Sequence, residues 1–249
     1  MTDNIISPFL FSFYENLPRQ GPGDEHISRA ILKSLSGLPD KPDIIDMGCG
    51  TGVQTMILAE KGRVAAVDIH QPFLDTLLTT ATKKNLNSRI TPHLRSMDDT
   101  SGFHQVDLIW SEGAVYLIGF EHGIRLWWNL IKPGGYLVVS ELTQLVKDPP
   151  KPAKEFWIRE YPGVQTREEN RHSIKRVGYH LLQTREIPHK AWIEFYAPQK
   201  EKISQIRRDF LSSEQEVILE DIEREIQIQE DYPNTYGYVF YVMQRPSDE

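Results

Sequence analysis

The chain of 249 residues has one cysteine, Cys49, so no disulfide can form within it. That fits a reducing compartment, and a cytoplasmic location is expected. No apolar run is long enough to span a bilayer. The opening segment, MTDNIISPFLFSFYENLP, lacks a basic flank and is interrupted by Asp3, Ser7, Pro8 and Ser12, which makes it a poor signal peptide. Positive charge is also scarce. Against 35 acidic residues stand 28 basic ones, a formal net charge of -7. An acidic surface repels phosphate backbones and argues against a nucleic-acid partner. Lys200 to Arg208 holds four basic residues, but Glu201 and Asp209 accompany them, so the stretch reads as a solvated helix face. The histidines lack metal-ligand spacing, and no metal is expected. There are no internal repeats and no low-complexity tract.

What is present is a soluble composition, 39 % hydrophobic and 25 % charged, long enough for one substantial core. From Asp24 to Leu38, apolar residues recur at helical spacing, with Asp24 as N-cap and Gly37 as stop. Short continuous apolar runs then alternate with helical patterns. The runs are Asp43–Met47, Val64–Val67, Arg89–Leu94, Val106–Trp110 and Tyr136–Ser140. The helices are Val53–Lys61, Pro72–Asn85 and the stripe Phe120, Ile124, Trp127, Ile131, which ends at Lys132-Pro-Gly-Gly135. Strands buried on both faces, alternating with helices, predict an α/β fold with a Rossmann-like, doubly wound, mostly parallel sheet. After a Pro- and Lys-rich boundary at Asp148–Pro152, helices are expected at Glu155–Tyr161 and Glu168–Val177. A strand follows at Tyr179–Ile187, then one long helix from Gln199 to Gln229 and a β-prone run at Tyr236–Met243. Trp192–Tyr196 fits neither pattern.

The most informative stretch is Asp46-Met-Gly-Cys-Gly-Thr-Gly52, set between a strand and a helix. Glycines there let the backbone approach a ligand, and the helix behind offers free N–H groups. Asp68 ends the next strand, where it can accept hydrogen bonds from a ribose. A nicotinamide-dinucleotide site would show G-x-G-x-x-G. Here the spacing is G-x-G-x-G, and Asp46 would repel a pyrophosphate but suit a cationic ligand. No phosphate-binding P-loop sequence is present.

These motifs, with the K-P-G-G turn before the fifth strand, resemble the class I S-adenosylmethionine-dependent methyltransferases. Pro18-Arg-Gln-Gly-Pro-Gly23 and Trp110-Ser-Glu-Gly-Ala-Val-Tyr-Leu-Ile-Gly-Phe120 resemble a small-molecule, ubiquinone/menaquinone-methyltransferase-like subfamily. The resemblance implies a seven-stranded sheet with its last strand antiparallel, and S-adenosylmethionine as cofactor, released as S-adenosylhomocysteine. It implies that Asp46 interacts through the loop or water with the methionyl ammonium and that Gly48, Cys49, Gly50 and Gly52 form the loop at the cofactor. Asp68 would bind the ribose, Ile69 the adenine face, and Ser96, Met97 and Asp98 the adenine edge. Ser111 and Glu112 would face the reacting methyl or the methionyl tail. Arg19 is a further candidate, for the cofactor carboxylate.

Residues 1–249 are expected to form a single domain. Its cap would be 1–38, including the first helix, and insertions at 149–177 and 190–230 would cover the active site. Methyl transfer from a sulfonium is an in-line displacement, so the protein chiefly aligns donor and acceptor and excludes water. Where the acceptor must lose a proton, Glu112, His26 and Tyr116 are the candidate bases. Cys49 reads as a packing residue, Asp99 as a turn cap. Trp157, Tyr161, Trp192, Phe195 and Tyr196 either wall a substrate pocket or pack the added segment. Lacking the N/D-P-P-Y/F/W turn of amino-methylating DNA enzymes, the chain is expected to act on a small molecule, with neither nucleic acid nor membrane as partner. A homodimer stays open. The alternative is a catalytically silent S-adenosylmethionine-binding sensor or partner subunit on the same fold.

Overall fold

The computed structural model describes residues 7–208 and 210–247. Residues 1–6 of the opening segment and Asp209 lie outside them. Helices α1 (Pro8–Tyr14) and α2 (Glu25–Ser34) precede the first strand. Ser7 caps α1, and both free N–H groups of His26 and Ile27 bond to the Asp24 carboxylate at the start of α2. Then follow β1 (Asp43–Met47), α3 (Val53–Lys61), β2 (Arg63–Asp68), α4 (Gln71–Lys83), β3 (Ile90–Leu94), β4 (Val106–Glu112), α5 (Phe120–Leu126) and β5 (Ile131–Gln144). The second half holds α6 (Lys151–Glu160), β6 (Gln165–Thr166), α7 (Arg167–Val177), β7 (His180–Glu186), α8 (His189–Ile206), α9 (Ser213–Asp231) and β8 (Tyr236–Gln244).

The sheet runs β3-β2-β1-β4-β5-β8-β7, with the two-residue β6 beside the end of β5. Strands β1 to β5 are parallel, and β8 is antiparallel to both its neighbours. Successive side chains of a strand point to opposite faces, and both faces here are buried. Ile44, Leu108, Trp110 and Val138 meet α2, α3, α8 and α9 on one side. Ile45, Ile109, Leu137 and Val139 meet α5 and α7 on the other. The chain reverses direction across the sheet between β1 and β4. The crevice at the carboxyl ends of those strands is where open α/β sheets bind ligands.

Three local expectations change. Lys132-Pro-Gly-Gly135 does not stand outside the fifth strand; β5 runs through it from Ile131, bulged so that Val106 pairs with Ile131 and Leu108 with Tyr136. Gly134 takes φ +79° in that bulge. The helix expected from Gln199 to Gln229 is two helices. The first, α8, starts at His189, takes in Trp192–Tyr196 and passes through Pro198. The second, α9, starts at a capping box in which Ser212 and Gln215 exchange hydrogen bonds. The stripe from Phe120 winds down as α5 and then a 3-10 turn at Trp127–Leu130.

Candidate active site

At the carboxyl ends of β1, β2 and β4 lies a cavity of about 770 Å³. The glycine loop forms its floor. Gly48 and Cys49 both donate backbone N–H bonds to the carbonyl of Val67 on β2, each at 2.9 Å. Gly48 has φ +73°, and a Cβ there would stand 2.4 Å from that of Ala114, so the loop is seated against the turn after β4. Gly50 N donates to Asp68 Oδ2 at 2.8 Å, and His70 N donates to Oδ1 at 2.9 Å. Each Asp68 oxygen therefore keeps a lone pair for a ligand hydroxyl on the cavity side. Burial pushes this carboxyl up, and those two backbone bonds oppose the shift.

Gly48, Cys49, Gly50, Asp68, Ile69, Ser96, Met97 and Asp98 line the cavity together. Three other expected loop and strand residues stand off its wall. Asp46 is buried beneath the loop, its Oδ2 accepting from Thr55 Oγ1 at 2.7 Å, and burial raises its carboxyl to about 7. Gly52 caps α3 at φ +85°, and its Cα lies against Leu77 of α4. Ser111 turns to the opposite face of β4 from Glu112, its buried Oγ without a partner among the described residues. The Cys49 thiol is buried and pushed well above its usual range by that burial, which suits packing rather than nucleophilic attack. Asp99 caps a turn, accepting from the Ser101 N–H and hydroxyl.

Glu112 is the centre of a network. Its Oε1 accepts from Arg19 Nη2 at 2.9 Å and Gln54 Nε2 at 2.6 Å. Its Oε2 accepts from Ser28 Oγ at 3.2 Å and Trp110 Nε1 at 3.3 Å. The carboxylate is 5 % exposed and Arg19 is 21 % exposed. Burial raises the Glu112 carboxyl, and the Arg19 charge is the largest of the effects that oppose it. Arg19 is thus engaged by Glu112 and by the Gly21 carbonyl. Gly23 explains itself here, because a Cβ at that position would overlap both Arg19 and Glu112. Gln20 ties the same segment to the glycine loop, its Oε1 accepting from Thr51 N at 3.0 Å and Thr51 Oγ1 at 2.8 Å.

Of the other candidate bases, Tyr116 lines the cavity and His26 does not; His26 is exposed beside α8 in a separate depression with Lys190 and Glu194. Burial, then the nearby Glu225 and Glu141, pushes the Tyr116 hydroxyl up to about 12, so it is a proton donor at neutral pH. Leu10, Phe11 and Tyr14 of α1 add to the wall, and the second half of the chain contributes Phe156 and Trp157 of α6, Trp192 and Phe195 of α8, and Glu225 of α9. Gln54, Ser28 and Glu225 were not expected from the sequence. Glu225 had a signal, since it shares the apolar face of α9 with Ile218, Ile222 and Ile226.

Residues 44–135 match a family described as a methyltransferase domain. Over 126 residues the chain is 30 % identical to the biotin biosynthesis bifunctional protein BioCD of Bordetella avium, covering 48 % of this chain and 26 % of that protein. The chain thus spans about a quarter of that relative's length. Among solved structures, YjhP from E. coli superposes with a TM-score of 0.80 at 16 % identity, covering 95 % of this chain and 99 % of that one. A SAM-dependent methyltransferase from Geobacter sulfurreducens, in complex with S-adenosyl-L-homocysteine, gives 0.79 at 16 % identity, covering 95 % and 98 %. Residues 44–135 thus match a methyltransferase domain, and the chain shares the fold of the SAM-dependent methyltransferase from Geobacter sulfurreducens.

Proposed function

We propose that the chain transfers the methyl group of S-adenosylmethionine to a small-molecule acceptor in the cytoplasm. The observation that carries this is the joining of the glycine loop and Asp68 in one cavity at the switch between β1 and β4, inside the stretch that matches the methyltransferase family. The residues fit the cofactor: Asp68 keeps acceptor capacity for two ribose hydroxyls, and Ile69 offers a half-exposed apolar side chain to the adenine face. Ser96, Met97 and Asp98 would border the adenine, with Asp98 taking its exocyclic amine. The sulfonium supplies an already activated methyl group. The chain's own part is to align the acceptor and exclude water. The segment through Gln20 and the insertions 149–177 and 190–230 would do this by closing over the cavity, to which both contribute wall.

Titration with S-adenosylhomocysteine by calorimetry tests the cofactor reading, and binding in the micromolar range is expected. Incubation with methyl-labelled cofactor and a metabolite extract should then yield a labelled small product. Tight binding with no labelled product in repeated extracts would favour a silent cofactor-binding subunit. Binding of NAD in place of S-adenosylhomocysteine would overturn the reading.

A further inference from the structure

Beyond the cofactor loop, the cavity is walled by aromatic rings and by acids. Among its lining residues only Arg19 and Arg95 are basic, and both are engaged, Arg19 by Glu112 and Arg95 by the Ser101 carbonyl at 2.7 Å. An acceptor carrying a carboxylate or phosphate would find no unengaged cation among the described lining residues. The second half of the chain contributes three acids to the lining, Glu160, Asp221 and Glu225. Arg159 pairs with the first two, while Glu225 has no ion-pair partner among the described residues. Glu225 Oε1 accepts from Tyr196 Oη at 2.7 Å. The hydroxyls of Tyr14, Tyr116, Tyr196 and Tyr238, from four separate parts of the chain, all lie close enough to feel the Glu225 charge.

A carboxylate in a cavity ringed by the aromatic side chains of Phe156, Trp157, Trp192 and Phe195 attracts a cation by charge, and the rings add their quadrupoles. We propose that the methyl acceptor is an amine, and that its nitrogen docks on Glu225 within this aromatic ring. The proposal rests on the methyltransferase reading above. An incoming ammonium gives one proton to the Glu225 carboxylate. The freed nitrogen lone pair forms the new N–C bond to the transferred methyl as the C–S bond breaks, and that electron pair stays on sulfur. The product leaves as a methylated ammonium, and Glu225 returns its proton to solvent. Burial pushes the Glu225 carboxyl up to about 7, against the Tyr196 bond and with the Glu160 charge, which suits it to accept and release that proton.

The test uses the whole protein saturated with S-adenosylhomocysteine. Benzyltrimethylammonium, benzyl alcohol and benzenesulfonate are titrated in turn, followed by quenching of the tryptophans that line the cavity. The cation is expected to bind at least tenfold tighter than the neutral and anionic probes. Glu225→Gln should remove at least fivefold of that preference while leaving benzyl alcohol and S-adenosylhomocysteine affinities unchanged. Tyr196→Phe, which removes one bond to Glu225, should change the cation's affinity in the same experiment and serves if Glu225→Gln fails to fold. Equal binding of the three probes, preference for the sulfonate, no binding of the cation, or full preference in both variants overturns the amine proposal. Failure of S-adenosylhomocysteine to bind the wild-type protein overturns the cofactor reading instead, so the two failures are separable.

Discussion

Both oxygens of Glu112 are occupied by donors, from Arg19 and Gln54 on one side and from Ser28 and Trp110 on the other. A carboxylate so held is poorly placed to take a proton and well placed to fix its neighbours. Glu112→Gln keeps the size but turns one acceptor into a donor facing donors. We expect a loss of about 1–3 kcal/mol in urea unfolding, with cofactor affinity and turnover falling together. A fall in kcat alone, at unchanged stability, would return Glu112 to the reacting centre. Asp68→Ala frees the N–H groups of Gly50 and His70 and removes the proposed ribose acceptor. S-adenosylhomocysteine affinity should weaken by about 1–3 kcal/mol, or roughly five- to 150-fold, by calorimetry. The place of Asp68 was legible, because an acid that ends a strand beside a glycine loop stands at the crevice of the sheet, where it lines the cavity. The role of Glu112 was not, because its partners lie 58 to 93 residues away along the chain, apart from Trp110.

Elements from β1 to β4 could be read to within two residues, because a strand buried on both faces and a helix with one apolar stripe leave different periods, whereas α1 was not foreseen. Helix α3 runs from Val53 to Lys61 and β1 from Asp43 to Met47, as their patterns predict. Helix α8 was hidden by Pro198, which removes a donor and ordinarily ends a helix. The break before α9 was written in the sequence as Ser212-Ser-Glu-Gln215, but charged residues on either side made the pattern look continuous. Helix α8 also holds α1 in place. Lys202 Nζ donates to the carbonyls of Ser12, Phe13 and Glu15 at 3.1, 2.6 and 2.8 Å, at the carboxyl end of α1, where carbonyls lack helical partners. Lys202→Met should leave those groups unpaired. Amide hydrogen exchange in residues 9–17 should then speed up at least tenfold, while the amides of β1 and β4 stay protected. Unchanged exchange in 9–17 would show that α1 is held by its apolar contacts alone.

At the scale of the molecule, five carboxyls hold protons more tightly in the folded chain than in the unfolded one: Asp46 and Glu225 near 7, Glu141 near 8, and Asp68 and Glu112 in the same direction. Glu141 is 1 % exposed, and among the described residues neither oxygen reaches a partner at hydrogen-bond geometry, though the Tyr161 hydroxyl nearby opposes the effect of burial. The stability such groups contribute is complete below the unfolded carboxylate range near pH 4. It is withdrawn as pH rises through 7 to 8. The ligand-free protein should therefore melt lower at pH 8.5 than at pH 6, by roughly 2–4 °C for each kcal/mol lost. Glu141→Gln should flatten that slope, and a melting temperature that rises with pH across this window would contradict the assignment. The order of the sheet has a separate consequence, for synthesis. Strand β8, the last of the eight, lies between β5 and β7 and bonds to both. While the ribosome is still making it, β5 and β7 present open edges to any strand nearby. The nascent chain can dock α2 to α5 on the first five strands, but it completes its sheet after Tyr236–Gln244 leaves the exit tunnel.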